Sequence, residues 1–153
     1  MFDPLAIHSP RGKVLGEFSF LEHLIASFIS VHYFGDTDTL FQEETLEDDC
    51  FSFEMKRRLL YKLLKKYHPS LYKAFPKKEL ERLQKLRNRI IHGVLAARPL
   101  ADGTSLAIWR HQGKDHLIDE AFKDWNDLIK IVHPAITSLP GLRLTSQPGL
   151  NVH

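Results

Sequence analysis

Apolar residues return at three- and four-residue steps in four separate stretches of this 153-residue chain, the period of an α-helix with one buried face. Val14, Phe18, Leu21, Leu24, Ile25, Phe28 and Val31 predict a long first helix over 13–33 that ends near Gly35. Phe53, Leu60, Leu63, Leu64 and Tyr67 mark a second helix over 53–67, with Ser52 as its N-cap and His68-Pro69 as its stop. Leu80, Leu83, Leu86 and Ile90 mark a third, which starts near Pro76 and is capped by Gly93. Asp119 is the expected cap of a last helix carrying Phe122, Trp125, Leu128, Ile129, Val132 and Ile136, with a kink at Pro134.

Between the third and last helices the period changes. Val94 to Pro99, Ser105 to Arg110 and His116 to Ile118 are short strand-like runs, and Asp102-Gly103 and Gln112-Gly113 are turn signals between them. The expected fold class is therefore mainly α: a bundle of about four helices with a small β-hairpin or meander, at about 94–118, inserted before the last helix. Residues 1–12 hold two prolines and read as an irregular arm, 13–138 as a single helical domain, and 139–153, rich in Gly, Pro and Ser, as a flexible tail. Trp109 and Trp125 read as packing groups of the hairpin and the last helix.

A content of 43% hydrophobic and 26% charged residues excludes an intrinsically disordered chain. The charge-free run from His23 to Gly35 is too short to cross a bilayer, and no basic segment precedes an apolar run at the N-terminus. A cytoplasmic protein with no membrane partner is expected. One cysteine, Cys50, excludes an intramolecular disulfide and a cysteine-rich zinc site, and it reads as an ordinary small hydrophobe. No pair of histidines on one element has metal-ligand spacing with a nearby carboxylate, and no phosphate-binding glycine loop is present, so neither metal nor cofactor is expected. Glu17 and Glu22 of the first helix are expected to pair on the surface or with another helix.

The charges are segregated. Residues 36–54 hold eight acids and no Lys or Arg, whereas 55–89 hold thirteen Lys or Arg and two acids, Glu79 and Glu81. Clustered cations neutralise phosphates and release counterions, so the second block fits a polyanion such as RNA. Two solvated faces, or an acidic segment folded back over basic helices, would leave the same composition.

The run with chemical content is Leu86-Arg87-Asn88-Arg89-Ile90-Ile91-His92-Gly93, at the end of the third helix. Arg87 is followed by polar Asn88, and four residues separate it from His92. A second pair at similar spacing, Arg110 and His116, has Gly113 inside it and falls on the hairpin, so it is set aside. At ~100° per residue Asn88 and His92 stack one turn apart, while Arg87 and His92 diverge by ~140°. One helix presents Arg87 and His92 as a pair only if its last turn unwinds. Two helices facing across a two-fold axis could otherwise supply both.

This run resembles the Arg-Asn-x-x-x-His-Gly signature of the HEPN (higher eukaryotes and prokaryotes nucleotide-binding) superfamily. The resemblance implies a helical-bundle homodimer that cleaves RNA without a metal, as toxins and antiviral-defence proteins do. In that chemistry the 2′-hydroxyl attacks the adjacent phosphate and leaves a 2′,3′-cyclic phosphate and a 5′-hydroxyl. His92 would transfer the proton, Arg87 would clamp the phosphate, and Asn88 would orient one of them or the substrate. Lys85, Arg89 and Arg82 would hold flanking RNA. For a toxin the resemblance also implies a nucleotidyltransferase-like antitoxin partner. The run is similar, too, to one in helical regulators resembling the mannitol-operon repressor, which implies the alternative of a non-catalytic RNA- or protein-binding module. A plain assembly subunit, whose basic helices meet an acidic protein, is the third reading.

Overall fold

The computed structural model describes residues 10–37 and 39–142. The described chain is mainly helical, with five α-helices, a π-helical turn and one three-stranded antiparallel sheet. Its described residues fall into two compact units, one within residues 1–20 and 75–134, the other within residues 21–74 and 135–153.

The first unit opens with the start of helix α1 (Pro10–Phe34). Proline fits the first helical turn, where its missing N–H and fixed φ cost nothing, so residues 10–12 are helical and not part of an arm. The rest of the expected arm, residues 1–9, lies outside the described residues. Helix α4 (Lys77–His92) buries Leu80, Leu83, Leu86 and Ile90, the four positions its period selects. It leads directly into the meander β1 (Val94–Pro99), β2 (Ser105–His111) and β3 (Lys114–Leu117), in that sheet order.

Both turns of the meander fall where the sequence places them. Asp102 Oδ1 accepts from the Thr104 amide at 2.9 Å and the Thr104 hydroxyl at 2.6 Å, and Gly103 takes φ +85°. Gln112 and Gly113 both lie in the left-handed region, at φ +50° and +73°, which matches a two-residue turn to the twist of its strands. That tight turn starts β3 at Lys114, two residues before the expected run. Ile118, expected in a strand, opens helix α5 (Ile118–Thr137) instead. Asp119 therefore sits inside the first turn, where an acid complements the helix dipole. The helix continues through Pro134. Ala121, Trp125, Leu128 and Val132 are buried with Trp109, while Phe122 and Ile129, expected in the core, are half-buried.

The second unit takes the rest of α1 from Leu21, a π-helical turn (Gln42–Leu46), α2 (Phe53–Tyr67) and α3 (Pro69–Ala74). Ser52 caps α2 by accepting from the Met55 amide at 3.3 Å. Leu60, Leu63 and Leu64 are buried as expected, Phe53 is half-buried, and Tyr67 is exposed beneath the Lys66 ammonium. Pro69 ends α2 and, being a good first-turn residue, begins α3. The acidic segment is pinned by two buried residues, Leu46 and Gln42, whose Nε2 donates to Ser27 Oγ at 3.0 Å. Cys50 is exposed and not a core hydrophobe; its thiol is held protonated, above its usual range, by a hydrogen bond to Asp48. Lys56 is buried and reaches Glu22 Oε1 at 2.6 Å.

Although its charge-free run is short, α1 as a whole is long and apolar enough to cross a membrane by length and composition. Within the protein, 56% of its most apolar window is buried. Helix α5 ends at Thr137, and of the expected tail, 139–153, the structure describes residues 139–142; residues 143–153 lie outside the described residues.

Candidate functional site

Positions 85, 88, 89 and 92 follow the three- and four-residue steps that align side chains along one helix face. In the first unit Lys85, Asn88, Arg89 and His92 of α4 form one wall of an open depression of about 490 Å³, and His111 and Gln112 of the β2–β3 corner form the other. Lys85 and Arg89 also border an adjoining depression of about 190 Å³ with Arg82 and Asp124. A third, of about 150 Å³, places Arg89 beside His116, Asp115, Glu120 and Asp124. The motif's Asn88 and His92 therefore lie together with Lys85 and Arg89, and Arg82 lies next door. Among the described residues none of Arg82, Lys85 and Arg89 makes an ion pair, and neither the His92 nor the His111 imidazole makes a hydrogen bond. These groups are uncommitted, as a binding surface requires.

Arg87 goes elsewhere. Helix α4 stays wound to its end, since the Gly93 amide still donates to Arg89 O at 2.8 Å, so the divergence of Arg87 from His92 is kept. The Arg87 guanidinium lies over the Phe18 ring at 5.2 Å and donates to Asn88 Oδ1 at 3.0 Å. Its Nε is buried with no hydrogen-bond partner among the described residues. Phe18 in turn packs on Trp125, whose indole N–H donates to Glu17 Oε2 at 2.6 Å. Within one chain, then, Arg87 holds the motif helix against α1 and braces Asn88, and Arg89 is the arginine beside His92. Glu17 and Glu22 are both taken up in pairing between helices, as expected.

The junction between α4 and β1 is built tightly. Arg11 donates to the carbonyl oxygens of Ile91 and, at 3.3 Å, Gly93, which satisfies acceptors that a helix end leaves open. Its guanidinium also lies 5.1 Å from the centre of the Trp109 ring. Gly93 is the C-cap, but in extended backbone (φ −68°, ψ 138°) and not the left-handed conformation usual for a capping glycine. Glycine is needed there for space: a Cβ would fall 2.4 Å from Arg89 O and 3.4 Å from Trp109 Cβ.

Sequence reasoning missed His111, Gln112 and His116. The signal was present in the two-residue turn, because Gln112-Gly113 fixes His111 opposite Lys114 and Trp109 opposite His116. Strand alternation then puts all four side chains on one face, with buried Trp109 turned to the end of α4. Burial pushes His116 below the usual histidine range, and the nearby Arg89 and Lys114 cations push it the same way. Arg110, across the strand from that face, pairs with Asp115 at 2.8 Å, which holds that carboxyl below its usual range.

Chemically the depression offers cations for a phosphate, imidazoles for proton transfer and an amide for orientation. Among the described residues no group of three or more His, Cys, Asp or Glu is placed to hold a metal ion. No family model, no curated protein and no solved structure matches this chain.

Proposed function

We propose that the first unit is a HEPN-like RNA-cleaving module in which the 2′-hydroxyl of RNA attacks its own 3′-phosphate at the depression beside α4. The observation that carries this reading is the meeting of Asn88 and His92 with Lys85 and Arg89 in one open hollow of about 490 Å³. His92 takes part in proton transfer, Arg89 and Lys85 neutralise the phosphate, and Arg82 extends the basic track. On this reading the clamp is Arg89, which lines the hollow, and not Arg87, which the sequence resemblance implies. Arg87 is a positioning residue that acts through Asn88. The same resemblance makes the working form a cytoplasmic homodimer of toxin or defence type, with a nucleotidyltransferase-like antitoxin as its partner if it is a toxin.

A second reading has its own support. Arg87, the motif's defining cation, is turned onto Phe18 and not into the hollow, which suits a non-catalytic RNA-binding module. One experiment separates the two: wild type and His92→Ala incubated with labelled RNA in EDTA, with products analysed for 2′,3′-cyclic phosphate ends. Cleavage by wild type, reduced roughly 10²–10⁴-fold in the variant, supports the enzyme. Salt-sensitive RNA binding without cleavage by either protein leaves the binding module.

A further inference from the structure

We propose that His111 is the second proton-transfer residue of this site, working with His92 on opposite sides of one scissile phosphate. The inference rests on the ribonuclease reading and adds to it a residue from outside the α4 motif.

Cleavage by 2′-hydroxyl attack moves two protons. The O2′–H proton must leave as the O2′–P bond forms, and the departing O5′ must gain a proton as the P–O5′ bond breaks. The two oxygens lie on opposite sides of phosphorus, so one imidazole on one helix serves only one of them. His111 is placed for the other. It ends β2 as His92 ends α4, and both line the same hollow.

Their opposition follows from the register. Val94 pairs with Arg110 at the start of the β1–β2 ladder, and the residues next beyond that pair are Gly93, which follows His92, and His111. Gly93 brings no side chain between them, and the close approach of Arg89 O leaves no space for one. His111 shares its strand face with Trp109, whose Cβ lies 3.4 Å from the Cβ position at Gly93, so this face is turned to the end of α4. The corner itself is held in an uncommon conformation. Among the described residues Gln112 is the one non-glycine at positive φ, a conformation that side chains with a Cβ rarely adopt, and it ends β2 at His111.

The atoms balance without an outside reagent. One imidazole, neutral at the start, takes the O2′ proton, and the other, starting as imidazolium, gives its proton to O5′. The products are a 2′,3′-cyclic phosphate and a 5′-hydroxyl, and proton exchange with water resets the pair. Arg89 and Lys85, both bordering the hollow, face the non-bridging oxygens.

The test compares wild type, His92→Ala, His111→Ala and His111→Gln on labelled RNA in EDTA from pH 5 to pH 9. A second substrate carries sulfur in place of the scissile O5′, a leaving group that needs no acid. Both His111 variants should lose roughly 10²–10⁴-fold in rate with RNA affinity kept, and the bell-shaped pH profile should lose one limb. The sulfur substrate should rescue a variant at one of the two histidines and not at the other, which assigns the acid. His111→Gln keeps the size and polarity of this half-buried corner residue, so its loss of rate is not a loss of fold; an unchanged urea midpoint checks this. Wild-type rate and a two-limbed profile in both His111 variants, with His92→Ala inactive, would overturn this proposal alone. Wild type that cleaves no RNA overturns the ribonuclease reading and this proposal with it.

Discussion

Replacing Gly93 and Gly16 by alanine adds the same methyl group at two places and should change stability in opposite directions. At Gly93 the new Cβ would lie 2.4 Å from Arg89 O, at least 0.6 Å inside the 3.0 Å limit for such contacts. The obstructing atom is a main-chain carbonyl that already accepts the Gly93 amide at 2.8 Å, so relief means opening that hydrogen bond, about 1 kcal/mol. Strain in the crowded junction adds about 1–3 kcal/mol. Reduced freedom of the unfolded chain returns about 0.4–1 kcal/mol. Gly93→Ala should thus destabilise by about 1–3.5 kcal/mol, a fall of roughly 0.5–2 M in the urea midpoint at an ordinary slope. Gly16 stands mid-helix in α1 with nothing within 4 Å of its Cβ position, and Gly16→Ala should gain about 0.5–1 kcal/mol. Equilibrium urea unfolding followed by the fluorescence of Trp109 and Trp125 measures both. A Gly93→Ala midpoint equal to or above wild type would refute the close-approach account of this glycine.

Two other expectations are independent of function. Lys56 is 3% exposed and its partner Glu22 27%, so Glu22→Gln, which strands a buried ammonium, should cost about 2–4 kcal/mol, whereas Lys56→Met leaves only a partly hydrated carboxylate and should cost under about 1 kcal/mol. Equal losses in urea unfolding would contradict this asymmetry. Burial and His68 push His32 below its ordinary 6.5, and burial and the cations around it do the same for His116. The folded chain therefore binds fewer protons near pH 6 than the unfolded one, so stability is complete above pH 6.5 and falls as pH drops below it. His32→Gln and His116→Gln should each flatten that slope; a urea midpoint that rises from pH 7 to pH 5.5 would show the sign to be wrong.

The helices and the meander were legible because each rests on local signals: the apolar period, the Ser52 cap and the two turn pairs. Proline misled at Pro10, and at Pro69 it marked the end of α2 as expected without revealing the start of α3, both for one reason. It breaks a helix interior yet suits a first turn, and only the neighbouring fold decides which applies. Lys56 on an otherwise apolar face was opaque because its partner, Glu22, sits 34 residues away. The α4 side of the site could be read off the motif, and the wheel separated Arg87 from His92. The wheel does not say which of the two faces the hollow, since that depends on Phe18. His111 required two steps, a turn length and then a strand register, before it could be set beside His92.

The first unit is discontinuous in sequence, and this has a consequence for when the site exists. Arg11 meets Ile91 across 80 residues, and Glu17 meets Trp125 across 108. A ribosome making this chain releases α1, with Arg11, Glu17 and Phe18, long before the α4 and α5 residues that they meet. Contacts so far apart close only after most of the chain has emerged, whereas the Lys56–Glu22 pair that joins α2 to α1 spans only 34 residues. For a protein whose proposed target is RNA, the hollow beside α4 would stay unassembled while the nascent chain is still tethered to its own template.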